Sequence, residues 1–216
     1  EIGQHRNRIR KLLRTVGCWQ PLQEKDLAAQ LAQLRDWRGQ GLAAPLAQRL
    51  AREAERLAAT EHQLKFVEQE LREQLPEPQQ QRIAQLARLK GVGTVGAMRL
   101  VLELYWRDFH NRRQVGACVG LVAQPYDSGT SRIDQGISKQ GNRRVRALLI
   151  EMAWMWLRYQ PDSAMARWFA QRTTAQATNK RGKRIAIVAV ARRLAIALWR
   201  YLQDGVIPQG ARLKAA

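Results

Sequence analysis

The chain has 216 residues, 45% of them hydrophobic, and its 37 Lys and Arg residues against 18 Asp and Glu residues give a formal net charge of +19. This hydrophobic content excludes a disordered basic tail, and no apolar run reaches the roughly 20 residues of a membrane-spanning helix. The charge makes a polyanion the expected partner, because basic surfaces gain affinity by releasing counterions from nucleic acid, although a merely soluble basic protein is the alternative.

Residues 1–78 are predicted to form a helical, coiled-coil-like segment. Four leucines recur every seven residues, at Leu50, Leu57, Leu64 and Leu71. This heptad spacing predicts a long helix with a narrow apolar seam. Two interpretations stay open: antiparallel packing within one chain, or a homo-oligomer formed through this helix. Pro76 and Pro78 mark the predicted boundary to a second module, residues 79–216.

The second module opens, at about residues 83–104, with a pattern typical of a helix-hairpin-helix motif. A helix leads into Gly91-Val92-Gly93, and a second apolar helix is predicted to start at about Thr94. Glycines let the backbone approach a ligand closely, and the free N–H groups at a helix start can face a phosphate. Gly91, Gly93 and Thr94 are therefore candidate phosphate-binding residues, although a plain turn between two helices has the same sequence pattern.

Residues 124–146, QPYDSGTSRIDQGISKQGNRRVR, combine a serine with clustered cations. Ser128 is predicted to lie in a turn formed with Asp127 and Gly129, followed by a basic segment and then a helix. Arginine suits forked contact with phosphate oxygens. The candidate phosphate- or DNA-binding residues here are Arg132, Lys139, Asn142, Arg143, Arg144 and Arg146. Asp-Ser-Gly is also a common structural turn, and no G-x-S-x-G elbow supports a hydrolase triad.

Three further helices are predicted after this segment, the second of them at about residues 163–171. Val145, Leu149, Met152 and Trp156 recur at helical spacing and define a buried face. We also expect Trp154 and Trp168 to be core residues. A basic cluster then precedes a long apolar helix and gives four more candidate DNA-binding residues, Lys180, Arg181, Lys183 and Arg184, unless it is simply a solvated helix start. The whole pattern predicts a mainly all-α fold.

The order of these segments resembles a known family. LKGVGTVGAMRLVLEL and VGACVGLVAQPYDSGTSRIDQGISKQGNRRVRALLIEMAWMWLR closely resemble the C-terminal transposase domain of the insertion-sequence-110 family, including its 1111-type relatives. The likeness covers about Leu89 to Leu213. The region from IRKLL through the leucine heptads resembles the family's inter-domain helical segment.

The resemblance implies a DNA transposase or recombinase in which Ser128 is the catalytic nucleophile, with Ser131 as a second choice. Its partners would be transposon-end and target DNA and a structured non-coding RNA, in the bacterial cytoplasm at the nucleoid. Family members also carry an N-terminal RuvC-like domain with four acidic metal ligands, which this sequence does not show. We therefore expect Mg²⁺ to enter through that domain, with no cofactor or metal site in this chain.

A second class of function fits the same residues. A non-enzymatic DNA-binding or dimerisation module, such as a regulatory remnant of a mobile element or a helix-hairpin-helix accessory factor, would share the charge and the helices. Cys18 and Cys118 form no disulfide framework and no zinc-ligand spacing, which fits a reducing compartment. Without its metal-binding partner domain, the isolated chain is expected to bind DNA but to be nearly inactive.

Overall fold

The structure is a computed structural model that describes residues 1–19, 27–128, 131–174 and 180–214, with only the backbone described for residues 28, 126–128 and 131–134. The chain divides into two compact units, Glu1–Gln74 and Leu75–Ala216. The described residues form nine helices and one two-stranded sheet, so the predicted mainly all-α fold is confirmed. The assignment of residues 1–78 and 79–216 to two functional modules stays a prediction.

The first unit contains α1 (Ile2–Arg14), α2 (Leu27–Gln33) and the long helix α3 (Ala44–Glu73). Leu50 and Leu57 are buried in one cluster with residues of α1 and α2. Leu64 and Leu71, by contrast, are 46% and 47% exposed. Packing within the unit thus accounts for the first two leucines of the heptad series, and self-association through the last two stays a prediction.

A buried carboxylate of α3 is tied to α1. Nδ1 of His5 lies 2.8 Å from Oε2 of Glu53, and Arg8 and Arg56 approach the same carboxylate at 3.8 and 3.2 Å. The hydrogen bond with His5, aided by the neighbouring cations, lowers the pKa of Glu53 although burial opposes the shift. Because a buried charge is costly unless it is paired, this contact fixes how α1 lies on α3.

The second unit is built around its last helix. Its elements are α4 (Glu77–Ala87), α5 (Thr94–Glu103), α6 (Arg112–Cys118), β1 (Ala123–Ser128), β2 (Ser131–Ile137), α7 (Arg143–Tyr159), α8 (Ala164–Thr174) and α9 (Lys180–Asp204). Helix α9 packs against α4, α6, α7 and α8, and its buried residues, including Val190, Leu194 and Leu198, follow helical spacing. None of the described helices combines the length and the apolarity needed to cross a bilayer.

Helix α7 has the predicted buried face. Val145, Leu149, Met152 and Trp156 are all buried, and the indole N–H of Trp156 donates a 3.0 Å hydrogen bond to the Ser163 hydroxyl. The expectation that Trp154 belongs to the core is wrong, because it points away from this face and is 46% exposed. It contacts the α8 residue Phe169 edge-on instead, with ring centroids 5.8 Å apart.

The serine segment forms a β-hairpin, an element that the sequence analysis did not predict; the turn predicted at Asp127, Ser128 and Gly129 extends outside the described residues. Strands β1 and β2 pair antiparallel, with Asp127 opposite Arg132 and Ser128 opposite Ser131. Ser128 is therefore the last residue of a strand. Tyr126 and Ile133, two residues that favour strands, lie opposite each other in this pairing, although the segment as a whole is polar and rich in glycine.

Candidate nucleic-acid interface

The Gly91-Val92-Gly93 turn joins α4 to α5, as the sequence predicted, but its two glycines differ. Gly91 has a φ of +90°, and a Cβ there would lie 3.3 Å from the Cβ of Tyr159. Gly93 has an ordinary φ of −84°, and a Cβ would meet nothing within 4 Å. The fold itself requires glycine at the first position only. At the second position, the missing side chain leaves open space in front of α5.

The N-terminus of α5 is uncapped. Gly93 is its N-cap residue and has no side chain to accept hydrogen bonds. Among the described residues, the N–H groups of Thr94, Val95 and Gly96 find no acceptor. The unsatisfied amides of a helix start, together with its dipole, suit the binding of an anion.

The carbonyl groups of Lys90 and Val92, at the same turn, already accept hydrogen bonds from side chains. The Gln160 side chain donates to the carbonyl of Lys90 at 2.7 Å, and Nζ of Lys214 donates to the carbonyl of Val92 at 2.9 Å. The backbone N–H groups of Lys90 and Val92 are also paired, with the carbonyls of Arg212 and Leu89, so the open donors here are those of the first turn of α5. Lys214 also holds a positive charge directly before Gly93. Sequence reasoning missed Lys214, because its role depends on a backbone bridge between Leu89 and Leu213 that no local pattern reveals.

The N-terminus of α7 is built differently. Oδ1 of Asn142 accepts hydrogen bonds from the backbone N–H groups of Arg144 and Val145, at 3.0 and 3.1 Å. Its Nδ2 donates to Oε2 of Glu103 on α5, at 3.0 Å. The structure thus places Asn142 as a helix cap. Arg143 and Arg144 are exposed, so positive charge at this helix start comes from guanidinium groups.

The segment before α7 is pinned to the end of α6. The backbone N–H of Lys139 donates to the carbonyl of Gly120 at 3.1 Å. Nη1 of Arg146 donates to the carbonyls of Val119 and Gln140, at 3.1 and 3.3 Å. Part of the Arg146 guanidinium therefore supports the backbone. Lys139 is exposed and has a φ of +56°, a strained value for lysine, so the brace holds it in a defined place.

The remaining predicted residues lie in two places. The basic cluster Lys180, Arg181, Lys183 and Arg184 forms the exposed start of α9, directly before the buried Ala186. Ser128 and Arg132 belong to the hairpin, but their side chains are outside the described part of the structure. The roles predicted for all these residues stay predictions.

No metal centre is found among the described residues, since none of their His, Cys, Asp and Glu side chains group in threes or more. The donor set that Mg²⁺ prefers, carboxylates and other oxygens, is thus not assembled there. The expectation that Mg²⁺ enters through another domain stays a prediction.

A mainly helical, strongly basic fold with an uncapped helix start and exposed arginines has features typical of proteins that bind nucleic acid. Residues 83–168 match the model of the family described as "Transposase IS116/IS110/IS902 family". The matched stretch contains α5, the hairpin and α7. Residues 83–168 therefore carry the transposase domain of this family, as the resemblance predicted.

Several curated transposases are similar to the chain. The candidate transposase y4rJ of Sinorhizobium fredii is 40% identical over 226 residues, which cover 99% of this chain and 57% of y4rJ. The transposase for insertion sequence element IS1328 of Yersinia enterocolitica is 28% identical over 67% of the chain and 42% of its own length. The transposase for insertion sequence element IS1111A of Coxiella burnetii is 31% identical over 53% of this chain and 31% of its own length. The chain thus spans little more than half the length of y4rJ.

Proposed function

We propose that this chain is the DNA-binding and strand-transfer part of an insertion-sequence transposase, with Ser128 as its nucleophile. The observation that carries the proposal is the family match over residues 83–168, which includes both the uncapped start of α5 and the hairpin that contains Ser128. The whole protein would move a mobile element by cutting and rejoining DNA.

DNA binding would begin with phosphate contacts. In the helix-hairpin-helix mode, the amides of Thr94 and its neighbours receive one phosphate, and Gly93 permits its close approach. Exposed Arg143, Arg144 and Lys139 would bind others, as would the basic start of α9. Such contacts position the protein on a duplex without reading its sequence.

The proposed chemistry is a transesterification. Oγ of Ser128 attacks the phosphorus of a scissile phosphodiester, a new O–P bond forms, and the bond from phosphorus to the leaving sugar oxygen breaks. The serine proton passes to a base, and the leaving oxygen is released as a hydroxyl. Arg132, Arg143 and Arg144 would neutralise charge on the phosphoryl group, while Arg146 positions the segment that carries Lys139. Reversal by a different hydroxyl rejoins the strand with its bond energy conserved.

Two further partners belong to this proposal. A structured RNA would use the same phosphate-binding surfaces, since RNA carries the same backbone charge. A second copy of the chain would associate through the distal half of α3, where Leu64, Phe66, Val67 and Leu71 are exposed. Apolar side chains grouped in this way on one helix end commonly mark an interface.

The test is covalent trapping. The chain is assayed alone and in a hybrid in which it replaces the matching 57% of y4rJ, with element-end DNA and Mg²⁺. We expect a protein–DNA adduct that resists denaturant and disappears in Ser128→Ala. Ser131→Ala is the matched control, because Ser131 lies directly opposite Ser128 in the hairpin.

An adduct that persists in Ser128→Ala but disappears in Ser131→Ala would move the nucleophile to the second serine. Salt-sensitive DNA binding with no adduct in either the chain or the hybrid would favour the non-enzymatic binding module. Salt sensitivity alone does not distinguish the two functions, because both depend on phosphate contacts.

A further inference from the structure

A cavity of about 440 Å³ lies in the second unit, away from the hairpin and the start of α5. Helix α9 contributes Arg193, Ile196, Ala197 and Arg200, which recur at positions i, i+3, i+4 and i+7 and so share one face. Arg112, the first residue of α6, lies at the same cavity, which residues 164–165 of α8 and 206–209 complete. Its volume falls within the range of small-molecule sites.

The charge in this cavity is of one sign. Three arginines line it, and no carboxylate does. Within the described part of the chain, no ion pair is formed by Arg112, Arg193 or Arg200. The rest of the lining is mainly apolar, from Ile196 and Ala197 on one side to Pro208 on the other. The combination suits a ligand with an anionic group and a flat apolar body.

Arg193 is held in place before any ligand arrives. Its guanidinium lies 3.8 Å from the ring centroid of Trp168, and Arg172 lies 5.8 Å from the same centroid. This contact with the aromatic face restrains the guanidinium of Arg193, a residue that also lines the cavity. Although Arg193 is an exposed residue, partial desolvation of its guanidinium, with the nearby charge of Arg172, lowers its pKa. A guanidinium in such surroundings is stabilised when an anion binds beside it.

We propose that this cavity binds one unpaired nucleotide of a single-stranded nucleic acid, with the base against Ile196 and Ala197 and the phosphate against Arg193 and Arg200. The inference rests on the proposed nucleic-acid function and adds a second kind of contact to it. A base stacked inside a duplex cannot enter a cavity, whereas an unpaired base can combine apolar contact with guanidinium contacts to its phosphate. An acidic peptide would satisfy the arginines but leave the apolar wall without a matching group.

The experiment measures binding of the full 216-residue chain to oligonucleotides of about 12 nucleotides, by fluorescence anisotropy at several salt concentrations. The probes are single-stranded oligoadenylate as DNA and as RNA, a DNA duplex, and a single strand with abasic sites. The double variant Arg193→Gln/Arg200→Gln is compared with Arg158→Gln/Arg167→Gln, which removes the same charge from exposed positions outside the cavity.

We expect the cavity variant to bind the single strand about tenfold more weakly, and its salt slope to fall by about 0.7 for one lost phosphate contact. Duplex binding and the control variant should change less than about twofold. A loss with either DNA or RNA supports the proposal, and the larger loss identifies the natural strand. Ala197→Phe, which fills the cavity without changing charge, should remove the preference for intact over abasic strands.

Equal losses in both double variants, or no preference for intact over abasic strands in the unaltered chain, would overturn the cavity proposal and leave the proposed function standing. Displacement of the single strand by oligoglutamate from the unaltered chain but not from the cavity variant would assign the site to an acidic peptide and also overturn it. If the chain binds neither single strands nor the duplex, the proposed function fails as well. Because the arginine variants alter surface side chains, they keep the test decisive if Ala197→Phe does not fold.

Discussion

Helices α5 and α7 both begin within a basic segment, and the sequence predicts a phosphate contact at each, yet they are built in opposite ways. The first-turn amides of α7 are satisfied by the Asn142 side chain. Those of α5 follow Gly93, which has no side chain, and find no acceptor among the described residues. One helix start therefore offers guanidinium groups, and the other offers backbone N–H groups.

At each helix start, some polar groups stabilise the fold and others remain available for a phosphate, and the two helices differ in which groups do which. At α7, the polar groups near the backbone, Asn142 and Arg146, hold the chain together, and the exposed Arg143 and Arg144 are left for a ligand. At α5, the bracing comes from Gln160 and from Lys214, which occupy only carbonyl groups. The amide donors stay available there because Gly93 has no side chain to accept from them and no other described residue does so.

The largest expected effect tests the brace on the α7 side. Gly120 has a φ of +66°, and a Cβ there would overlap the carbonyl oxygen of Gln140. Gly120→Ala should lower the free energy of unfolding by about 3 kcal/mol, measured by urea denaturation, because strain and a backbone clash add. Gly136→Ala is the control, since Gly136 has a φ of +80° but open space, and should cost only about 1 kcal/mol. Equal effects would show that the close approach of the two segments is not a structural requirement.

The next effect tests the cap of α7. Asn142→Ala removes two hydrogen bonds to backbone amides and one to Glu103, so the free energy of unfolding should fall by about 2 kcal/mol. Asn142→Ser keeps a neutral cap acceptor but loses the bond to Glu103, so its melting temperature should lie between that of the unaltered chain and that of Asn142→Ala. If Asn142→Ala unfolds like the original protein but loses DNA binding, the residue is a phosphate ligand and the contrast between the two helices disappears.

The smallest expected effect concerns the start of α5, where one substitution should raise the stability of the chain and lower its affinity for DNA. Gly93→Asp would give α5 the cap acceptor that it lacks, in a conformation that fits a side chain. Stability should rise by about 1 kcal/mol, while the affinity for duplex DNA falls about tenfold because the amides are occupied and a negative charge is added. Gly93→Ser adds a neutral cap and separates capping from charge. Unchanged affinity in both variants would remove α5 from the DNA interface.

Much of the second unit could be predicted from sequence because helical periodicity is local. The buried face of α7 and the start of α5 at Thr94 were read directly from residue spacing. The hairpin was not predicted, because its short strands are polar and contain glycine and so lack the apolar alternation that identifies a strand. Trp154 was wrongly assigned to the core, since a large apolar side chain does not reveal by itself on which side of a helix a neighbour packs.

The candidate site, too, could be predicted from the sequence only in part. Residue types alone pointed to Arg143, Arg144 and the Gly91–Gly93 turn. They could not tell that Arg146 braces carbonyl groups, that Lys214 reaches the turn, or that Arg112 joins Arg193 and Arg200 around one cavity. Each of those facts depends on residues far apart in the chain.

The sequence by itself determined the family, the net charge and the positions of most helices, because these follow from composition, motif order and local spacing. Only the tertiary structure decided which polar groups are already occupied and which remain open to a ligand. The physical reason is that a hydrogen-bond donor or acceptor is satisfied by whatever the fold brings within about 3 Å of it. Gly93 and Asn142 precede similar helices: the Asn142 side chain itself closes the donors of α7, whereas the fold brings no acceptor from the described residues to those that follow Gly93.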